Sequence, residues 1–280
     1  MKCFQLLKRV LDEVWVELPY DNEDEKISIV RDKLSCLHKH YRSLYNSNEK
    51  IDYSNPALRY AYLGSYVTCH ANMIFSLITR NEQLSELFNK VRIQITCLGG
   101  GPGSDLLGIL KYVEEKNLYP KLKFFLYDRE PTWSESWSDV DDRITNDLNI
   151  STYFETFEIT NSNSWKERKK YLRSDLFTMV YFISEIIKVK EKAIQFFENL
   201  FDNTKKGTYF LFIDNSAPIF YNWFDDIWQS SHIEIVKCEN DELWQLPCEE
   251  EKTDLCEHFK RLGESPKLSG NISYRILRKL

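Results

Sequence analysis

Residues 92–105 read Arg-Ile-Gln-Ile-Thr-Cys-Leu-Gly-Gly-Gly-Pro-Gly-Ser-Asp and run on into Leu106, Leu107 and Leu110. A short apolar run bounded by turn residues suits a strand buried on both faces. Glycines at alternate positions let the backbone turn tightly and let a ligand lie directly against it. The helix start beyond them adds exposed amides. A strand that passes through such a turn into a helix is the opening of a βα unit. Parallel strands need crossovers of this kind, so the feature constrains everything that follows it.

The remainder of the chain keeps the same rhythm. Strands are expected at 122–127, 153–158, 176–182 and 208–213, with intervals long enough for crossover helices. After a helix carrying Phe220, Trp223, Phe224, Ile227 and Trp228, two more are expected at 233–238 and 272–277, separated by a long acidic loop. With 92–98 this makes an α/β, Rossmann-like, doubly wound sheet of seven strands, mostly parallel.

Residues 1–90 read differently, as an all-helical N-terminal cap on a domain spanning 91–280. Phe4, Leu7, Leu11, Val14 and Leu18 recur at helical spacing, as do Ile27, Val30, Leu34, Leu37, Tyr41 and Leu44. A turn at Ser54-Asn55-Pro56 precedes a long helix expected over 57–79, and a short one carries Leu84, Leu87 and Phe88.

The 280 residues carry 37 Lys and Arg against 43 Asp and Glu, a net charge of -6. A duplex-binding protein draws much of its affinity from a basic face. The basic cluster at 166–173 and the pair Lys205-Lys206 read as a solvated helix end and a loop. Nucleic acid is therefore not favoured as a partner, though not excluded. Seven scattered cysteines without a paired framework point to free thiols in a reducing compartment. The N-terminus reads as an amphipathic helix and no apolar stretch is long enough for a bilayer. The expectation is a cytoplasmic protein without membrane contact, with the nucleus also open.

The glycine loop fits a dinucleotide fingerprint poorly, since the sixth position is Ser104 counted from Gly99 and Leu106 counted from Gly101. Gly99-x-Gly101-x-Gly103 instead resembles motif I of the class I S-adenosylmethionine-dependent methyltransferases; a plain structural turn is the other reading. The resemblance implies S-adenosylmethionine as cofactor, with the loop wrapping its adenosyl and methionine portions. It makes Asp128, at the tip of the second strand, a ligand of the ribose hydroxyls, where a helix N-cap or loop acid is the plainer role. Glu158 and Ile159 match the acid and the apolar neighbour that meet the adenine, although strand-end acids are common. Residues 175–185 resemble motif IV, which borders the transferred methyl group, and 207–215 form the strand after it. The resemblance covers roughly 92–280. One departure stands out: many members have an acid two residues before the first motif glycine, and here that position is Cys97. Arg59 or Tyr62 from the helical region are the candidates to replace its contact.

Methyl transfer from a sulfonium needs alignment and exclusion of water more than it needs a catalytic triad, and no triad is evident. Tyr181, Glu185 and Asp214 are the catalytic candidates, placed with Asn215 at the carboxyl edge of the sheet where open α/β folds bind ligands. Arg59, Tyr62, Tyr66 and His70 share helix-face spacing, either as a lid over the cofactor or as an amphipathic packing stripe. Ile183-Ser184-Glu185 lacks the Pro-Pro-aromatic pattern of exocyclic-amine nucleic-acid enzymes, and Pro247-Cys248 lies too far downstream for a cytosine-C5 nucleophile. Cys238, Cys248, Cys256 and His258 lack close paired spacing, so no metal is expected. The expectation is a methyltransferase acting on an unidentified acceptor, a small molecule or protein ahead of nucleic acid. A non-catalytic S-adenosylmethionine sensor and an RNA methyltransferase with a partner subunit are the alternatives.

Overall fold

The computed structural model describes residues 2–44, 51–144, 149–229, 231–246 and 255–280. The helical region opens with α1 (Cys3–Glu17) and α2 (Glu23–Arg42), continues through α3 (Pro56–Tyr62) and α4 (Thr68–Arg80), and closes on the short α5 (Glu82–Glu86). Strands and helices then alternate as β1 (Arg92–Leu98), α6 (Ser104–Glu115), β2 (Lys121–Asp128), α7 (Trp133–Asp141), β3 (Ile150–Thr156) and α8 (Ser162–Trp165). Next come β4 (Leu176–Val180), α9 (Phe182–Ile186), α10 (Lys190–Asn203), β5 (Tyr209–Asn215), α11 (Pro218–Trp228), β6 (Ile233–Gln245), α12 (Cys256–Leu262) and β7 (Ser269–Lys279).

The seven strands form one sheet in the order β3-β2-β1-β4-β5-β7-β6. Its first five positions pair in parallel, and β7 enters antiparallel to both β5 and β6. Strand order reverses between β1 and β4, which opens a crevice at their carboxyl ends.

Alternation along each strand divides the core by chemistry. Ile93, Ile95, Leu122, Leu126, Leu211 and Ile213 face α1, α4, α6 and α7 in one buried cluster that extends without a break into the helical region. Phe125, Tyr127, Phe177, Phe210 and Phe212 face α10 and α11 in a second cluster. That side is a lattice of rings, with Tyr127 stacked on Phe157 at 4.4 Å and Phe212 on Phe224 at 4.6 Å.

Several expected elements differ from those observed: the strand expected at 233–238 runs on to Gln245, and α12 stands within the expected acidic loop. The long helix over 57–79 is interrupted by a π-helical turn, Leu63–Val67, although its start is as expected, with Asn55 Oδ1 accepting from the Leu58 amide and Pro56 in the first turn. The strand expected at 153–158 ends at Thr156, the last residue paired with β2, because Phe157 turns in to stack on Tyr127. The strand expected to reach 182 stops at Val180, because Tyr181 takes a left-handed conformation at φ 55° and α9 starts directly after it.

Candidate functional site

A cleft opens where β1, β2 and β3 end. Its floor is the glycine loop: Gly99 sits at φ 66°, Gly101 at 46° and Gly103 at 87°, all left-handed. The Gly99 amide donates to the Tyr127 carbonyl at 2.8 Å, which fastens the loop to the end of β2. The three glycines have different duties. A Cβ at Gly99 would lie 2.6 Å from the Phe182 ring, and one at Gly103 would lie 2.4 Å from Trp137, so those two allow close packing. A Cβ at Gly101 would meet nothing nearer than 3.9 Å, so its bare backbone faces the cleft. Gly99 and Gly101 line the cleft; Gly103 lies beneath Trp137 and does not.

Asp128 stands at the tip of β2. Its Oδ2 accepts from the Gly101 amide at 3.1 Å and its Oδ1 from the Glu130 amide at 3.0 Å. Burial raises its carboxyl to about 6 against the pull of those two amides. Each oxygen keeps a further acceptor site, the pattern needed to hold two neighbouring hydroxyls. Glu158 and Ile159 also line the cleft, beside Leu98 and Phe157. The Glu158 Oε1 is engaged in its own loop, accepting from the Thr160 amide at 3.0 Å and the Thr160 hydroxyl at 2.9 Å.

The three catalytic candidates do not converge. Glu185 lines the cleft, where it accepts from the Tyr53 hydroxyl at 3.3 Å. Its side chain is exposed to solvent in the cleft but ringed by protein; desolvation by those surroundings first, then the charge of Asp128, pushes its carboxyl up to about 7. Tyr181 points into a different chamber, drawn there by its left-handed backbone and by stacking on His70 at 4.5 Å. Asp214 is fully buried and lines neither, because its two oxygens accept from the Ser184 and Asn215 amides at 2.8 Å each. It therefore positions the start of α9, the helix that carries Glu185.

The helical stripe divides in the same way. Arg59 is held away from the cleft, donating to the carbonyls of Tyr53 and Ser54 and pairing with Glu135 at 2.5 Å. Tyr62 lines the cleft; Tyr66 and His70 line the neighbouring chamber. Tyr53 and Trp133, whose rings lie 5.0 Å apart, lean over the cleft with Tyr62, and about 70 Å³ of free space remains beneath them. Nothing local in the sequence singled out Tyr53 or Trp133.

Cys97 is buried under the loop, and burial raises its thiol well above its ordinary range. A buried acid does stand close by. Asp105, in the first turn of α6 and 2% exposed, accepts from the Thr178 hydroxyl and is pushed up to about 7 by burial. In sequence it reads as an ordinary first-turn acid, so its burial gave no signal.

His258 is fully buried between the Tyr60 hydroxyl at 2.7 Å and Asp12 at 2.9 Å, while Cys238 and Cys256 are exposed and Cys248 lies outside the described residues. Among the described residues no group of three ligands is placed to hold a metal, and no helix is long and apolar enough to cross a membrane.

No protein-family model matches the sequence, and no curated protein matches it. Similar solved structures include an S-adenosylmethionine-dependent methyltransferase from Clostridium acetobutylicum ATCC 824. It is 9% identical, with 74% of this chain covering 92% of that one at a TM-score of 0.45. A second, from Methanosarcina mazei, is 10% identical over 70% of this chain and 97% of its own, at 0.40. The 16S rRNA methylase ArmA is 15% identical over 93% of this chain and 100% of its own, at 0.44. The likeness is one of fold, to methyltransferases of the class I architecture, with no subfamily singled out.

Proposed function

We propose that the chain is an S-adenosylmethionine-dependent methyltransferase with a small-molecule acceptor. The observation that carries this reading is the cleft at the strand-order reversal, where the bare face of Gly101 lies beside the Asp128 carboxylate. The residues suit the cofactor: Asp128 has acceptors for ribose hydroxyls, Leu98, Phe157 and Ile159 offer apolar surface to a flat base, and Glu158 stands beside them. When bound, the cofactor supplies an activated methyl group on a sulfonium. The protein then has to orient an acceptor, exclude water and receive a proton where the acceptor carries one. Glu185, with its carboxyl near 7, is the group in the cleft suited to that proton. Aromatic side chains over the cleft exclude water, and Tyr53 and Tyr62 must part to admit a ligand of the cofactor's size.

Calorimetric titration with S-adenosylmethionine and its demethylated product tests the reading. Wild type is expected to bind in the micromolar range and Asp128→Ala at least about tenfold more weakly, a loss of roughly 1.4 kcal/mol. Binding of neither ligand by wild type would remove the cofactor assignment. Glu185→Gln is expected to keep cofactor affinity while removing the acid limb, near pH 7, from the turnover profile.

A further inference from the structure

Beyond the Tyr62 ring, which forms a wall common to both, lies a second chamber of about 580 Å³. It sits at the ends of β4 and β5, where Tyr181 and Asn215 face it, and the π-helical turn supplies Ser65 and Tyr66. Turns of this kind recur at functional sites because the extra residue re-aims side chains.

One polar group in it lacks the partner that burial demands, and a half-buried ammonium beside it has only a neutral partner. Ser65 is 2% exposed, and its Oγ has no hydrogen bond among the described residues. An unsatisfied buried hydroxyl costs about 1–3 kcal/mol unless something binds it. Lys267 lies over the Tyr181 ring at 4.1 Å and donates to the Tyr181 hydroxyl at 2.7 Å. Among the described residues no carboxylate pairs with it, and burial lowers its pKa. The two residues line the same chamber, and their backbones are joined there by the Lys267 amide donating to the Ser65 carbonyl at 2.8 Å. The wall's acid, Glu264, faces His38 at 3.0 Å, and buried Asp214 acts on Lys267 without pairing with it among the described residues.

Ring faces form one side of the chamber, and Arg42 also lines it. His70 stacks on Tyr181, and Tyr66 lies 5.3 Å from Tyr62 and 6.0 Å from His70. Burial holds His70 neutral by lowering its pKa well below the ordinary value. A flat ligand ring would lie against the exposed faces of this cluster, and a cationic ligand would meet Lys267.

We propose that this chamber binds a small planar aromatic acid, its ring among Tyr62, Tyr66, His70 and Tyr181 and its carboxylate on Lys267 and Ser65. That this ligand is also the methyl acceptor rests on the proposed function; that it binds does not.

Titration calorimetry of the full chain with 4-hydroxybenzoate, phenol and tyramine tests the assignment without turnover. Wild type is expected to bind 4-hydroxybenzoate with a Kd at or below about 1 mM, and phenol and tyramine at least several-fold more weakly. Lys267→Gln is expected to weaken 4-hydroxybenzoate binding about tenfold or more, and Asp128→Ala by less than twofold. Ser65→Ala separates binding from folding: removing an orphaned hydroxyl should leave the melting temperature unchanged or higher while weakening the acid several-fold. Tyramine binding as tightly as the acid, no binding of the acid by folded wild type, or no effect of Lys267→Gln each overturns the proposal. S-adenosylmethionine titrated into the same samples separates the two claims. Wild type that binds the cofactor and not the acid overturns the chamber alone; binding of the acid without the cofactor overturns the acceptor role.

Discussion

Gly101 and Gly103 are two residues apart and share a left-handed backbone, yet their surroundings assign them opposite duties. Alanine at Gly103 would add conformational strain and also drive a Cβ to 2.4 Å from Trp137, so a loss of about 2–3 kcal/mol is expected. Alanine at Gly101 carries the strain alone, about 1 kcal/mol, because its new methyl meets open space in the cleft. Urea melts and cofactor titrations on both variants check this. Gly101→Ala should lose binding out of proportion to stability, and Gly103→Ala the reverse. The glycine pattern was legible in sequence, but the division of labour was not, because it depends on Trp133 and Trp137 folding back over the loop. Asp128, Glu158 and Ile159 line the cleft from the places their strand ends dictate. Tyr181 and Asp214 do not join them, because a single left-handed residue and two amide contacts redirect their side chains.

At the scale of elements, α4 and α6 pack together against the sheet, and Gly108 allows their closest approach. A Cβ there would fall 2.3 Å from the Ala71 carbonyl and 2.8 Å from the Ile74 Cβ. On propensity alone Gly108→Ala should stabilise α6 by about 1 kcal/mol. The clash is with backbone, which cannot rotate aside, and overpacking of that kind costs more than the gain. A net loss of about 2 kcal/mol is expected, lowering the melting temperature by roughly 5 °C; an unchanged or raised melting temperature would contradict the packing. Strand positions were readable because short apolar runs bounded by turn residues, spaced by helix-length intervals, leave few alternatives. The π-helical turn was not, since Leu63–Val67 continues the helical spacing without a break and only packing selects the extra residue.

For the whole molecule, the carboxyls drawn into the fold make stability depend on pH in an unusual sense. Asp105 titrates near 7, and Asp128 and Asp214 near 6, each raised by burial from an ordinary value of 3.8. Between about pH 4 and 7 the folded chain therefore holds protons that the unfolded chain has released. This contribution is complete below pH 4 and is lost as pH rises through 6 to 7. Asp175 runs the other way: the Gln94 amide with Lys205 and Lys90 outweighs burial and holds it below its ordinary value, so its contribution disappears only in acid. From these groups stability is expected to peak near pH 4 and to fall by a few kcal/mol by pH 8. Denaturant melts at both values check this, with Asp105→Asn flattening the decline; equal stability at the two would refute it. The aliphatic cluster is continuous from α1 to the sheet, so calorimetry should show one unfolding transition for helical region and sheet together.

The alternation of strands and helices, the parallel sheet with its terminal strand pair, and the loop at the end of β1 were readable from the chain, because each rests on local sequence pattern and on the stereochemistry of glycine. What needed the folded molecule was every relation between residues distant in sequence. Tyr53 reaches Glu185 across 132 positions, and Lys267 reaches Tyr181 across 86. Both the cleft and the second chamber are built from such pairs. No local pattern encodes which side chains meet there, since that follows from how helices settle on a twisted sheet once the apolar faces are buried.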